Sequence, residues 1–348
     1  VFLLSVAAAW AQSEPAYLLK GVRVVVAPGK ALDRADVLLR NGVISKIGAN
    51  LTAPAGAETI DGAGLTAYPG FIHPYLKVSV EGVVPTTSGL TPVQLMAGRD
   101  EDPFNQKYNR ISQIRTGQVA QSEVPGFSSL ARAGYGLANA FVSGGIVGSQ
   151  GDVVSLGAGG LGPSTIVAPR RGVALNLTGR GFSGYPNSQM GVIAFIRQTM
   201  LDAQRYAREK AAWDANPAGR PRHKAEPSFE GLVEVVRGED HPYIDDLNEV
   251  QAYQAMNIAK EFGLKPVYAF RQQSGWVKDK LKSAAAVLLR GEMAARPNLT
   301  VDDARNSLIG VRNYFNELQA AAELEAAGIE FLFAPSSTTD PLSALRTY

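Results

Sequence analysis

From residue 67 to the end of the 348-residue chain, short apolar segments alternate with longer amphipathic ones. The apolar segments have the length of strands, and the amphipathic ones have the length and periodicity of helices. Helices are predicted over 188–215 and 247–263, with a strand over 265–271 between the second helix and the next one. This alternation predicts a parallel sheet flanked by helices. We therefore predict an α/β fold, with a (β/α)₈ TIM-like barrel over residues 67–348.

Residues 17–66 have a different pattern and contain no segment of helical periodicity. Runs of β-branched residues are interrupted by Pro28-Gly29 and by Asn41-Gly42. Asn-Gly between two apolar runs is the strongest short hairpin signal, because both residues tolerate a positive φ. We predict a small β-sheet that precedes the barrel and needs a partner layer.

The first residues carry a targeting signal. Residues 1–11 form a short apolar run that ends in Ala9-Trp10-Ala11, a pattern typical of signal-peptide cleavage. We interpret this run as part of a signal peptide, and the alternative is a buried N-terminal strand or helix. The signal predicts an exported protein, periplasmic or extracellular. No later segment has the length and apolarity of a membrane-spanning helix, so no membrane insertion is expected.

The composition excludes several classes of functional site. The chain has no cysteine, which excludes disulfides, thiolate zinc sites and a cysteine nucleophile. It has three histidines, so the commonest metal ligand and general base is scarce. The formal net charge is +2, with 34 basic and 32 acidic residues, and this balance argues against a nucleic-acid partner.

A motif at the entry to the predicted barrel carries a family resemblance. The segment from Asp61 to Val78 reads DGAGLTAYPGFIHPYLKV. With the preceding VRVVVAPGKALDRADVLLRNGVISKIGANL, it resembles the amidohydrolase superfamily, in particular the imidazolonepropionase-like branch. The matching positions of the entry motif are Asp61, Gly64, Pro69, Gly70, Phe71 and Ile72.

The resemblance implies a small β-sandwich before a barrel, zinc or another divalent metal as cofactor, and hydrolysis of non-peptide C–N bonds, including cyclic amides. In that family a His-x-His holds the metal, and its two histidines fall here on Tyr75 and Lys77, with the preceding Asp falling on His73. The sixth strand offers Arg271 and Gln272 where the family has histidine, and the essential Asp of the eighth strand falls near Ser336. No cofactor is therefore expected. A register slip that makes His73 the first ligand is the alternative, and the fixed side-chain phase of a barrel strand disfavours it.

Functional residues of such barrels lie at the carboxyl ends of the strands. This rule predicts a polar, metal-free mouth, and the other interpretation is a set of solvated or mutually satisfied groups. A lysine inside a barrel is costly unless it is paired, so Lys77 is expected to pair with Asp245 or Asp246. The mouth candidates are His73, Tyr75, Lys77, Asn139, Ser143, Asn176, Asp245, Asp246, Arg271, Arg290 and Ser336.

We assign no catalytic or binding role to three other segments. The glycine-rich run 143–162 lacks the Gly-Lys-Ser/Thr ending of a phosphate-binding loop and is interpreted as turns between strands. The polar segment 97–134 is interpreted as an insertion in the first β/α loop plus a helix. In the loop 216–231, His223 is expected to be solvated, and His241 precedes the fifth strand at its non-catalytic end.

The sequence is compatible with three functions. The first is a catalytically degenerate relative of amidohydrolases that acts as a binding or partner subunit, with an unknown small molecule or protein as its partner. The second is an active hydrolase with an unusual site, and the third is an exported ligand-binding barrel. We also expect the barrel and sandwich to be incomplete at the C-terminus, which would expose an apolar patch on the strands of 17–66. A dimer that hides this patch is the alternative.

Overall fold

The protein is described from a computed structural model, which covers residues 16–84, 109–177, 186, 188–270, 274–290 and 308–335. The chain divides into two compact units, one ending at Gly70 and the other beginning at Phe71. The predicted signal peptide lies outside the described residues.

The first unit is a β-sheet in the order β3-β2-β1-β4, with β5 also paired to β1. Asn41 and Gly42, with φ of 52° and 74°, turn the chain between β2 and β3, which confirms the predicted hairpin. Asp36 is buried and accepts from the amides of Gly21 and Leu51 at 2.9 and 2.8 Å. The strands are β1 (Ala16–Ala27), β2 (Lys30–Arg40), β3 (Val43–Gly48), β4 (Glu58–Asp61) and β5 (Thr66–Ala67).

The first unit leaves several large apolar side chains in contact with solvent. Val43 is 65% exposed and Leu65 is 60% exposed, whereas Val22 and Val37 are buried in the small core of this unit.

The second unit contains two sheets. One has the order β10-β9-β7-β6, and the other has the order β15-β14-β13-β12-β11-β8. The pairs β6–β7, β11–β12, β12–β13, β13–β14 and β14–β15 are parallel. The strands are β6 (Phe71–Val78), β7 (Tyr135–Val142), β8 (Val147–Gln150), β9 (Asp152–Ser155), β10 (Ile166–Ala168), β11 (Val173–Asn176), β12 (Pro242–Leu247), β13 (Val267–Phe270), β14 (Ala286–Arg290) and β15 (Phe331–Ala334).

Helices connect the parallel strands. The longest, α2, buries Phe195, Ile196 and Met200 in the main apolar core of the unit, and α5 adds Ile258 and Phe262 to the same core. The helices are α1 (Phe127–Arg132), α2 (Gln189–Ala215), α3 (Pro227–Glu230), α4 (Val233–Val236), α5 (Glu249–Phe262) and α6 (Leu308–Ala326). Within the described ranges, no helix combines the length and the hydropathy that crossing a membrane requires.

The ladder between β6 and β7 contains two offsets that cancel. Phe71 pairs with Tyr135 but Ile72 pairs with Leu137, so β7 carries one extra residue, Gly136. Farther along, the pairing of β6 advances by three residues while that of β7 advances by two, so β6 carries one extra residue around Pro74. Pro74 cannot donate to a ladder, which suits a proline to a bulge.

The predicted α/β class is confirmed, and the predicted strands and helices lie close to their expected positions. A 3₁₀ helix, Ser274–Ser283, lies between β13 and β14. In the described part of the chain the two sheets share no ladder, so a closed barrel is not shown.

Candidate functional site

The parallel strands place polar side chains at one edge of the second unit. Asn176 ends β11 and pairs in register with Asp245 of β12, and Arg290 ends β14. Lys77 lies one residue before the end of β6. Because carboxyl ends of parallel strands meet at the same edge, these side chains come together as the sequence predicted.

Asp245 is the centre of this group. Its carboxylate is 2% exposed, and it forms salt bridges with both Lys77 and Arg290. Lys77 is bound through one carboxylate oxygen and Arg290 through the other. The lysine is 41% exposed and the arginine 26% exposed, so both cations reach from solvent onto a buried anion. The predicted pairing of Lys77 with Asp245 is confirmed.

His73 is buried next to this cluster and uses both ring nitrogens. Its Nε2 lies 3.1 Å from the carbonyl oxygen of Pro335, and its Nδ1 accepts from the Tyr75 amide at 3.3 Å. A carbonyl only accepts, so the proton lies on Nε2 and the ring is neutral. Burial lowers the pKa of His73 to about 4, with the bond to Pro335 opposing this effect and Arg290 adding to it.

Tyr75 fills the space beside Lys77 with an aromatic cluster. Its ring stacks on Tyr243 with centroids 5.4 Å apart and contacts Phe141 at 4.8 Å. All three rings pack among the strands, where they contribute apolar contact instead of metal ligands. Burial raises the pKa of Tyr243, which keeps its hydroxyl protonated at neutral pH.

Two cavities flank the Lys77–Asp245 pair. The larger has a volume of about 350 Å³ and is bounded by Tyr75, Phe141, Ser143, Asn176 and Asp245 among others. The smaller, about 170 Å³, is bounded by His73, Arg290 and Pro335, and Tyr75 and Lys77 line both. Together the cavities offer hydroxyl, amide, ammonium and guanidinium groups around an aromatic floor.

A divalent metal does not fit these residues. Asp245 already carries two cations, and His73 has no free nitrogen lone pair because Nδ1 accepts and Nε2 donates. The ammonium of Lys77 would repel a metal ion and cannot ligate it while protonated. Nowhere in the described ranges do three or more His, Asp or Glu side chains gather as a metal site would need.

Of the other residues predicted at the mouth, the structure describes some and not others. Asn139 donates to the carbonyl of Arg171 at 3.0 Å and does not line the larger cavity, whereas Ser143 does. Arg271 and Ser336 lie outside the described residues, as does the side chain of Asp246. His241 precedes β12, where its Nδ1 lies 2.8 Å from the carbonyl oxygen of Lys265, away from the carboxyl edge.

The expectation that His223 is merely solvated is wrong. Its ring packs against Tyr206 with centroids 4.7 Å apart, and its Nε2 is buried. It lines a cavity of about 590 Å³ between the end of α2 and the following loop. Sequence reasoning missed this cavity, although the run Arg220-Pro221-Arg222-His223-Lys224 carried a signal in its concentrated positive charge.

Comparison with known proteins finds a similar fold among solved structures and short matches in sequence. An amidohydrolase from Thermotoga maritima superposes over 95% of this chain and 83% of its own, with a TM-score of 0.64 and 18% identity. A dihydroorotase from Geobacter sulfurreducens is 40% identical over 67 residues, which is 19% of this chain and 16% of the relative. The protein unc-33 from Caenorhabditis elegans is 36% identical over 72 residues, 21% of this chain and 8% of its own length. The sequence matches thus span about a sixth or less of these curated relatives, and no family model matches.

Proposed function

We propose that this chain, which has the fold of amidohydrolases as its sequence resemblance predicted, is a metal-free ligand-binding relative of those enzymes. The observation that carries the proposal is the occupation of Asp245 by Lys77 and Arg290. Where a metallohydrolase needs free carboxylate and imidazole lone pairs, this chain has a closed ion cluster. Metal-assisted hydrolysis of a C–N bond therefore has no assembled site among the described side chains.

The charge of the cluster favours an anionic ligand. Lys77 and Arg290 contribute two positive charges against the single negative charge of Asp245, and His73 is neutral. A small carboxylate in the larger cavity would meet the exposed part of the Lys77 ammonium, with the Ser143 hydroxyl and Asn176 amide beside it. The rings of Tyr75 and Phe141 would cover its apolar part.

The architecture we propose for this site is the (β/α)₈ barrel of the sequence prediction. The parallel strands from β11 to β15 and the pair β6–β7 support it, as does the bond from His73 on β6 to Pro335 just after β15. The imidazolonepropionase-like branch, export across a membrane and a protein partner are further parts of the proposal that rest on sequence alone.

The competing function is an active hydrolase with an unusual site, and the short match to dihydroorotases favours cyclic amides as its substrates. Elemental analysis of the purified chain, beside a hydrolysis screen that includes dihydroorotate, separates the two. We expect metal far below one equivalent and no turnover. One equivalent of zinc that is lost in His73→Ala, together with turnover, would establish the hydrolase instead.

A matched pair of variants tests the site itself. In a thermal-shift assay, succinate should raise the melting temperature of the parent chain, whereas the neutral succinamide should not. Lys77→Met should lose the response, and Tyr75→His/Lys77→His should not gain hydrolysis, because Arg290 still holds Asp245. Equal responses to both compounds, or none, would remove the anion-binding proposal.

A further inference from the structure

The end of α2 and the loop after it enclose a cavity that the proposed function does not use. The cavity has a volume of about 590 Å³ and is remote in sequence from the strand ends. Its lining is Arg208, Glu209, Ala212, Trp213, Arg220, Pro221, Arg222, His223 and Lys224. We call it the basic cavity.

The cations of the basic cavity lack carboxylate partners. Neither Arg208, Arg220, Arg222 nor Lys224 forms an ion pair with any residue in the described ranges. The one acid in the lining, Glu209, lies 3.8 Å from Arg205, which is outside the cavity. The lining therefore carries an excess of positive charge.

Other cations of the same helix behave differently. Arg197 donates to Glu261 at 2.8 and 3.1 Å, and Lys210 donates to Asp214 at 2.7 Å. In one pair the acid is on the neighbouring helix α5, and in the other it lies four residues along α2. The four cations of the cavity form no such pair within the described ranges, and like charges destabilise one another unless an anion joins them.

The loop that carries three of these cations is held at both ends. Near its start, the Ala218 amide donates to Asn216 Oδ1 at 3.0 Å. Near its end, the Glu226 amide lies 3.4 Å from the Tyr206 hydroxyl, which donates to Glu230 at 2.9 Å. The His223 ring packs on Tyr206, so the loop is tied to α2. Such anchoring reduces the ordering cost of binding.

Two further groups indicate the shape of a ligand. Trp213 lines the cavity and is half-buried, which leaves ring surface for a flat apolar group. The Nε2 of His223 is buried without a hydrogen-bond partner among the described residues. Buried polar atoms usually have a partner, so this nitrogen is an unmet hydrogen-bonding group beside the cavity.

We propose that the basic cavity binds a small molecule with several phosphate groups, whose planar ring packs on Trp213, as in a nucleoside di- or triphosphate. The guanidinium groups of Arg208, Arg220 and Arg222 match phosphate oxygens in fork geometry, and Lys224 adds a further charge. Phosphate oxyanions supply the negative charge that the described residues around the cavity do not. The ring distinguishes a nucleotide from free polyphosphate, which offers the charge alone.

The test is calorimetric titration of the full chain with inorganic triphosphate, ADP and adenosine at low salt. We expect both anions to bind, ADP more tightly, and adenosine weakly, with affinity falling as salt screens the charges. Arg208→Gln/Arg222→Gln should weaken triphosphate binding about 100-fold, or about tenfold for each lost charged contact. Trp213→Phe should keep triphosphate binding and reduce the preference for ADP.

Control variants distinguish binding at the basic cavity from a general effect of surface charge and from binding at the carboxyl ends of the strands. Arg197→Gln/Lys210→Gln removes the same number of charges from α2 at paired positions and should leave binding within about twofold of the parent. Lys77→Met, which impairs the site of the proposed function, should also leave it unchanged. Folding of each variant is checked by circular dichroism. Absence of triphosphate binding, an equal loss in the control double variant, or tighter binding of an acidic peptide would overturn the proposal.

Discussion

Charge is arranged in opposite ways in two regions of the second unit. At the carboxyl edge, one buried anion, Asp245, gathers two cations, and a neighbouring histidine uses both nitrogens. At the basic cavity, the cations have no carboxylate partner among the described residues, and the one acid of the lining, Glu209, lies near Arg205. The first region is satisfied from within the chain, whereas we propose that a ligand completes the second. Removing a charge at the carboxyl edge should therefore lower stability, whereas removing a cation at the basic cavity should weaken ligand binding without lowering stability.

The largest effect is expected from Asp245→Ala. This change leaves Lys77 and Arg290 facing each other without their shared anion. Breaking a buried pair by removing one partner costs about 3–5 kcal/mol, and the partial exposure of both cations places this case near about 3 kcal/mol. Guanidinium unfolding measures the loss. Lys77→Met is the control and should cost less, because Asp245 keeps Arg290; an equal cost would contradict the central role of the carboxylate.

The second prediction concerns pH and His73. Its pKa is about 4 in the folded chain and 6.5 in the unfolded one, so the unfolded state takes up the proton first as pH falls. Stability from His73 is complete above pH 6.5, declines through the window down to about 4, and then levels off. The shift corresponds to about 3 kcal/mol.

Comparison with His73→Gln isolates this residue from the other histidines, because glutamine does not titrate. The difference in unfolding free energy between parent and variant should shrink as pH falls from 6.5 to 4. A difference that stays constant across this range would show that the neutral, bonded imidazole is not the stable form.

The smallest effects on stability should come from charges on α2 and on the loop after it. The sign of each effect distinguishes a paired cation from an unpaired one. Lys210→Gln breaks an i, i+4 pair with Asp214 and should cost up to about 0.5 kcal/mol. Arg222→Gln relieves repulsion within the basic cavity and should leave stability unchanged or raise it by a few tenths of a kcal/mol, roughly the size of exposed charge effects. Both effects should fade with added salt. If Arg222→Gln destabilises as much as Lys210→Gln, the cavity cations have partners inside the chain.

Periodicity and turn chemistry made much of this fold predictable. The alternation of apolar strands and amphipathic helices located β11 to β15 and their helices, and Asn41-Gly42 located the hairpin of the first unit. The pairing of Lys77 with Asp245 followed from strand ends and the cost of burying a lone charge. These features depend on local pattern, which a sequence displays directly.

Long-range contacts that do not follow from the position of strand ends were not predictable. The bond from His73 to Pro335 joins residues 262 positions apart, and nothing near His73 in sequence indicates its partner. The burial of His223 depends on Tyr206 in the preceding helix, which a polar local sequence conceals. Whether adjacent sheets close into a barrel likewise depends on strand contacts that periodicity does not encode.

The two cancelling offsets between β6 and β7 bear on how this region can change by insertion and deletion. Loss of Gly136 alone, or of one residue around Pro74 alone, would shift the carboxyl half of one strand by one position against the other. Such a shift turns each following side chain to the opposite face, including Lys77. Loss of both residues would leave Val78 opposite Val142, as it is now. The two positions are therefore coupled: each length change is tolerated only in the presence of the other.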